Sequence, residues 1–275
     1  MKKILFYLTI VAFLFTCNVS IAAPVTANTV EKILNLSGIN KQLTELPKMI
    51  KHGLDQARQQ NPSITESDLA GMKKVIDEAF IPDEFIHAIG SEISANLSEN
   101  EANQLVTWFE SSMGREITSA EVEATTPGAF QNMLAEAQTL FSDTTRVSIV
   151  QKIDNLLGAT DMSVQIQLDT AIAVFTSLTS SLGETQGALV ETFKAQLEAQ
   201  KEQMRKNTEQ LTLLTFLYYY KDIDPKTLNE YVNFLGNPNT LKFSDCVKTG
   251  TKTAFDKSTK TMAKSLDTLF SNQNS

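Results

Sequence analysis

The sequence predicts an all-α fold, a tandem duplication of a helical-bundle unit preceded by an N-terminal signal helix. Three observations predict the helices. Apolar residues recur at three- and four-residue spacing along almost the whole chain. Runs of alternating β-branched residues, the mark of a half-buried strand, are missing. Glycine and proline, 11 and 7 of 275 residues, fall at the joints between periodic segments.

Lys2 and Lys3 form a basic n-region, and ILFYLTIVAFLFT, residues 4–16, an unbroken apolar h-region. Small residues follow in Ser20-Ile21-Ala22-Ala23. Residues 1–23 therefore read as a secretory signal peptide cleaved after Ala22 or Ala23, too short for a comfortable membrane span. The lysine flanks and short h-region suggest a bacterial chain bound for the periplasm or the medium. The rival reading is a lipoprotein signal with Cys17 lipidated, although Phe15 and Thr16 stand where smaller residues are usual. Val30, Ile33, Leu34 and Leu36 then give a short amphipathic helix ended by Gly38. Pro47 is expected to kink or break a helix within 39–60. Thr65-Glu66-Ser67-Asp68 starts a helix carrying Leu69, Met72, Val75, Ile76 and Ala79. Pro82 suits the first turn of the next, with Phe85, Ile86 and Ile89 inward. Ser98-Glu99-Asn100-Glu101 is a capping box before Leu105, Val106, Trp108 and Phe109. Thr125-Thr126-Pro127 signals a helix holding Phe130, Met133, Leu134, Ala137 and Leu140. The second half continues in the same style to Phe270.

The formal net charge is −8. Loss of Lys2 and Lys3 with the signal leaves 22 basic against 32 acidic residues, a charge of −10. Such a chain repels phosphate backbones, so no nucleic-acid partner is expected. About 250 mature residues make one large or two ordinary domains, and no second apolar run approaches membrane-spanning length. One cysteine, Cys246, would remain, so no internal disulfide is available. It reads as a buried thiol beside Phe243 and Val247, or as a link to a partner chain. His52 and His87 stand apart as surface or boundary residues, and no metal motif or cofactor is indicated.

The duplication rests on two matches. VEKILNLSG at 30–38 aligns with VQKIDNLLG at 150–158, an offset of 120 that keeps Val30/Val150, Lys32/Lys152, Ile33/Ile153, Asn35/Asn155, Leu36/Leu156 and Gly38/Gly158. LSENEANQLVTWFESSMGREI at 97–117 aligns with IDPKTLNEYVNFLGNPNTLKF at 223–243, an offset of 126. Two matches in the same order divide the chain into a first helical repeat, 24–145, and a second, 146–275, the extra length of the second falling in its middle helices. Apolar positions persist between them: Val106/Val232, Trp108/Phe234 and Ile117/Phe243. Polar ones do not: Glu110 faces Gly236, Arg115 faces Leu241 and Glu116 faces Lys242. The stretch around Trp108, the only tryptophan, therefore reads as a helix–turn–helix joint whose aromatic is a buried anchor; a site centred on Glu110 and Arg115 is the alternative.

At Trp108-Phe109-Glu110-Ser111-Ser112-Met113-Gly114 the chain resembles the bacterial domain-of-unknown-function 2059 family. The family signature is an aromatic pair, Ser-Pro, one residue, Gly, and a lysine two residues later. The first copy keeps Trp108, Phe109, Ser111 and Gly114, with Ser112 for the proline and Glu116 for the lysine. The second keeps Phe234, Pro238 and Lys242, with Leu235 for the second aromatic and Thr240 for the glycine. The leading Asn-Leu-x-Gly helices are similar to the family's opening helix. The resemblance implies a signal-bearing, all-helical exported protein and brings no catalytic residues.

Enzyme signatures are missing: no G-x-S-x-G elbow, no H-E-x-x-H, no phosphate-cradling glycine loop. Asp222 and Asp224 read as turn and N-cap residues. Two surfaces are candidates for recognition. Phe216-Leu217-Tyr218-Tyr219-Tyr220 puts aromatics on more than one helix face, so Tyr218, Tyr219 and Tyr220 could meet a partner or fill a domain interface. Lys248, Lys252, Lys260 and Lys264 repeat at multiples of four beside Phe255, Met262, Leu266 and Leu269, a basic amphipathic helix suited to an acidic partner or anionic lipid, or simply a solvated face. The expectation is an exported, non-enzymatic protein-interaction module with an unidentified protein partner. The alternative is a carrier of an apolar ligand in a groove between the repeats. An apolar cavity of several hundred Å3 would favour the carrier; a filled core with an exposed aromatic patch would favour the module.

Overall fold

The computed structural model describes residues 23–61, 63–124, 128–179 and 186–273. The signal segment with Cys17 and the Thr125-Thr126-Pro127 start signal lie outside the described residues. The described chain is all-α, a packed set of twelve helices: α1 (Ala27–Leu36), α2 (Ile39–Gln60), α3 (Glu66–Ala79), α4 (Pro82–Asn96), α5 (Glu99–Phe109), α6 (Ser112–Glu123), α7 (Ala129–Ser142), α8 (Thr144–Leu157), α9 (Ala159–Leu178), α10 (Gln186–Tyr219), α11 (Pro225–Leu235) and α12 (Pro238–Gln273). A single antiparallel bridge joins Pro24 to Ser98.

The helix starts follow local chemistry. Thr65 with Asp68, and Ser98 with Glu101, close complete capping boxes that satisfy otherwise orphan N–H groups. Pro82 and Pro225 occupy first turns, where no backbone donor is lost. Gly38 and Gly158 are the only residues with positive φ among those described, at 76° and 63°. Each reverses the chain between two helices, α1 to α2 and α8 to α9, in a conformation that costs a side-chain-bearing residue more. Of the kink or break expected at Pro47, the break does not occur: α2 runs through it over 22 residues. The α2 flank around it is held from outside, because Leu43, Leu46, Ile50 and Leu54 pack against the core.

Three apolar clusters fill the interior. One joins α1, α4 and α5 with Phe243 and Cys246 of α12. A second joins α6 and α7 to α8, α10 and α11 through Ile117, Met133, Val150, Ile153, Leu217 and Leu228. A third gathers α3 and the start of α4 around Phe80 and Phe85 against Ala254 and Met262 of α12. The stretches 24–145 and 146–275 thus share their cores: α6 and α7 pack with the later helices, α12 with the earlier ones. Where α12 crosses α4 the two backbones touch. A Cβ on Gly250 would lie 2.5 Å from the Ile89 Cα, so only glycine permits this approach. The C-terminal helix is accordingly a core helix that is buried along one side, through Cys246, Ala254, Ser258 and Met262, and keeps Lys252, Lys260 and Lys264 exposed.

One detail of the predicted core changes and another holds. In α7, Met133 and Leu140 are buried, but Phe130 and Leu134 are 41 % and 50 % exposed. Cys246 is buried and free, and burial pushes its thiol up to about 11, with the nearby Glu92 charge acting in the same direction.

Candidate functional site

The α5–α6 joint is built around its glycine and serine. Ser111 caps α6, accepting from the Gly114 N–H at 3.0 Å, and its hydroxyl donates to the Trp108 carbonyl at 2.6 Å. A Cβ on Gly114 would lie 2.2 Å from that same carbonyl oxygen, so the α6 backbone lies directly on the end of α5. The α11–α12 joint has the corresponding parts with different chemistry. Gly236 ends α11, the Asn237 side chain accepts from the Asn239 N–H, Pro238 opens α12, and buried Thr240 stands where Gly114 stands. Lys242 reaches back to Glu101 at 3.0 Å. Glu110 forms an exposed ion pair with Lys32 at 2.7 Å, and Arg115 donates to the Glu110 carbonyl.

Trp108 and Phe234 depart from the expectation of two separately buried anchors. Each is half-buried, and they stack on one another, with ring centroids 3.7 Å apart and planes 4° from parallel. Tyr231 extends the stack at 5.5 Å, and Phe109 meets both rings edge-on. Trp108 and Phe234 pack against two of the apolar clusters at once. The joints of the two halves therefore meet each other.

Beside this stack lies a cavity of about 300 Å3. Its wall comes from both halves: Ile39 and Gln42 of α2, Phe109 of α5, Ala159 and Met162 of α9, Phe216 and Tyr219 of α10, Tyr231 and Phe234 of α11, and Phe243 and Val247 of α12. One carboxylate, Glu121 of α6, lines it. Its Oε1 accepts from the Tyr220 hydroxyl at 2.5 Å and the Tyr231 hydroxyl at 3.1 Å. Glu121 is half-buried by area, yet sits deep enough for desolvation to dominate, which raises its pKa against the two tyrosyl hydrogen bonds that lower it. Tyr219 is pushed up to about 12, first by burial and then by the Glu121 charge. Lys248 stands at the cavity and is paired to Asp245 at 2.6 Å.

A second cavity, about 280 Å3, lies between α2, α7 and α10, lined by Met49, His52, Phe130, Met133, Tyr218 and Tyr219. The exposed faces of Met49 and Phe130 belong to it. Tyr219 borders both cavities.

The predicted recognition surfaces dissolve in part. Tyr220 is wholly buried, and so is no surface residue. Tyr218 and Tyr219 are both half-buried; Tyr219 borders both cavities, and the Tyr218 ring is covered by the Lys221 ammonium 4.5 Å from its centroid. In the lysine series, Lys252 is paired with Asp169 and Asp256. Lys260 and Lys264 are exposed, with no ionic partner among the described residues. Sequence reasoning missed Glu121 altogether, since nothing in SAEVE distinguishes a glutamate on a solvated face from one between two tyrosines 99 and 110 residues away. Among the described residues, no cluster of three or more His, Cys, Asp or Glu side chains is placed to hold a metal, and no helix is long and apolar enough to cross a membrane.

Comparison with models of known protein families, with curated proteins and with solved structures finds no match.

Proposed function

We propose that the protein is an exported, non-enzymatic binding protein, and that a small molecule with an apolar body occupies the cavity where its two halves meet. The cavity carries this reading: about 300 Å3, walled mainly by aromatic and aliphatic side chains from seven helices. Its size falls at the lower end of small-molecule sites, and its make-up matches their usual composition. The surface that a protein-interaction module would use is reduced, because Tyr220 is buried and Tyr218 and Tyr219 are only half-exposed.

The duplication belongs to the same proposal. It is supported by the paired left-handed glycines, Gly38 and Gly158, and by the equivalent roles of Ser111 and Asn237 at their joints. It is supported further by the stacking of Trp108 on its counterpart Phe234. Between the matched ends the halves differ: one long helix, α10, stands where the first half has α3 and α4, so the correspondence proposed is of the ends and not helix for helix. The resemblance to the domain-of-unknown-function 2059 family points the same way. Export, to the periplasm or medium, rests on the apolar leader. Ala23 is already tied to the fold, its carbonyl accepting from the Glu99 N–H at 2.9 Å.

The test is extraction. The protein purified from the periplasm, denatured in organic solvent, is expected to release an apolar compound detectable by mass spectrometry. A folded Ala159→Phe variant, which fills the cavity, is expected to release none. Release of the same compound from both proteins would place the ligand elsewhere; no release, with no response of Trp108 fluorescence to apolar probes, would overturn the reading.

A further inference from the structure

Glu121 lies deep enough for desolvation to raise its pKa, and it lines a cavity rather than the outer surface. It forms no ion pair among the described residues: its Oε1 takes both tyrosyl hydroxyls, while Oε2 has no hydrogen-bond partner among the described residues. The side chain lines a cavity whose remaining wall includes the rings of Tyr219, Tyr231, Phe234 and Phe109. Resting on the ligand-binding reading above, we propose that the ligand is a cation, an amine or quaternary ammonium on an apolar body, with its charged group held between Glu121 and these rings.

Two physical effects favour that chemistry. A carboxylate in a poorly solvated wall is costly without a counter-charge, and a bound cation supplies one. Aromatic faces attract cations through their quadrupoles, and the attraction is larger where water is excluded. The cation on the cavity wall, Lys248, does not serve this role, since its ammonium is engaged by Asp245 on its own helix. Tyr220, in the turn after α10, and Tyr231 of α11 hold Oε1 in place, fixing the carboxylate before any ligand arrives. A carboxylate ligand would meet Glu121 as a like charge, and a neutral alcohol would gain a single hydrogen bond.

The only tryptophan, Trp108, stacks on Phe234 of the cavity wall, so its fluorescence should report occupancy. Titration of the purified protein with octyltrimethylammonium, octanol and octanoate, each below its aggregation concentration, compares three head groups on one chain. The cation is expected to bind at least about tenfold more tightly than the alcohol, and octanoate most weakly. Glu121→Gln, checked for folding by circular dichroism, is expected to abolish the preference while octanol binding persists. Equal affinities for cation and alcohol in the wild-type protein, or an unchanged preference in Glu121→Gln, would overturn the cationic assignment and leave the cavity reading standing. Binding of none of the three would overturn both. The wild-type comparison of head groups decides the proposal even if Glu121→Gln fails to fold.

Discussion

At the scale of single residues, the two joints show how one sequence pattern can carry different constraints. Gly114 is required because its α-carbon lies against the Trp108 carbonyl; Thr240, at the matching place, is buried with its whole side chain accommodated. Gly114→Ala is therefore expected to destabilise the fold by about 3 kcal/mol, the cost of forcing a methyl into packed backbone, measured by urea unfolding. Thr240→Ala should cost less. Trp108→Ala removes a half-buried ring that bridges two clusters, and the expected loss is about 2 to 3 kcal/mol, at or just below the range for fully buried aromatics. Glu110→Ala breaks only an exposed pair with Lys32 and should change stability by less than about 1 kcal/mol. A larger effect of Glu110→Ala than of Trp108→Ala would contradict the assignment of this stretch as a packing joint.

At the scale of elements, α2 is the informative case. A helix-interior proline lacks the N–H that would bond to the carbonyl four residues back, here Leu43, and its ring crowds that turn. The element persists because tertiary packing on its apolar flank outweighs local preference. Pro47→Ala is expected to stabilise the protein, by up to about 3 kcal/mol if no compensating bend is lost, seen as a higher denaturant midpoint with an unchanged slope. A fall in midpoint would mean that α2 needs the geometry proline imposes. The starts of α3, α4 and α5 were legible in the sequence because capping boxes and first-turn prolines act over three or four residues. The exposure of Phe130 and Leu134 was not, because helical periodicity identifies an apolar side without saying whether a neighbour covers it.

Across the whole molecule, ionic links tie α12 to the first half: Lys242 to Glu101 and Lys257 to Glu84. Glu101 is held down at about 2, chiefly by the Ser98 backbone N–H and hydroxyl, with Lys242 adding to them. A carboxylate with a depressed folded-state pKa contributes stability that is present above its unfolded value and lost as pH falls toward the folded one. The Glu101 contribution should thus disappear between about pH 4.5 and 2, and thermal melts of Glu101→Gln should show a flatter acid limb over that window. Glu121 has the opposite sign. Its pKa is raised, so the unfolded chain gives up this proton first, and rising pH above about 4.5 costs the fold stability. The stability of Glu121→Gln relative to wild type is expected to increase from pH 4 to pH 7, read from paired melts. A difference that stays constant with pH would show that Glu121 ionises as freely in the fold as in the unfolded chain.

What the sequence by itself determined is local: helical class, the capped starts, and the segment boundaries at Gly38 and Pro82. These depend on interactions within one or two turns, which a short window contains. Only the tertiary structure decided that α12 crosses α4 through Gly250, and that Trp108 stacks on Phe234 rather than lying buried alone. It also decided that Tyr220 points inward to Glu121 and that a cavity remains between the halves. Each of these joins residues roughly 100 or more positions apart, and is set by which apolar faces find one another in packing, a choice that periodicity along the chain leaves open.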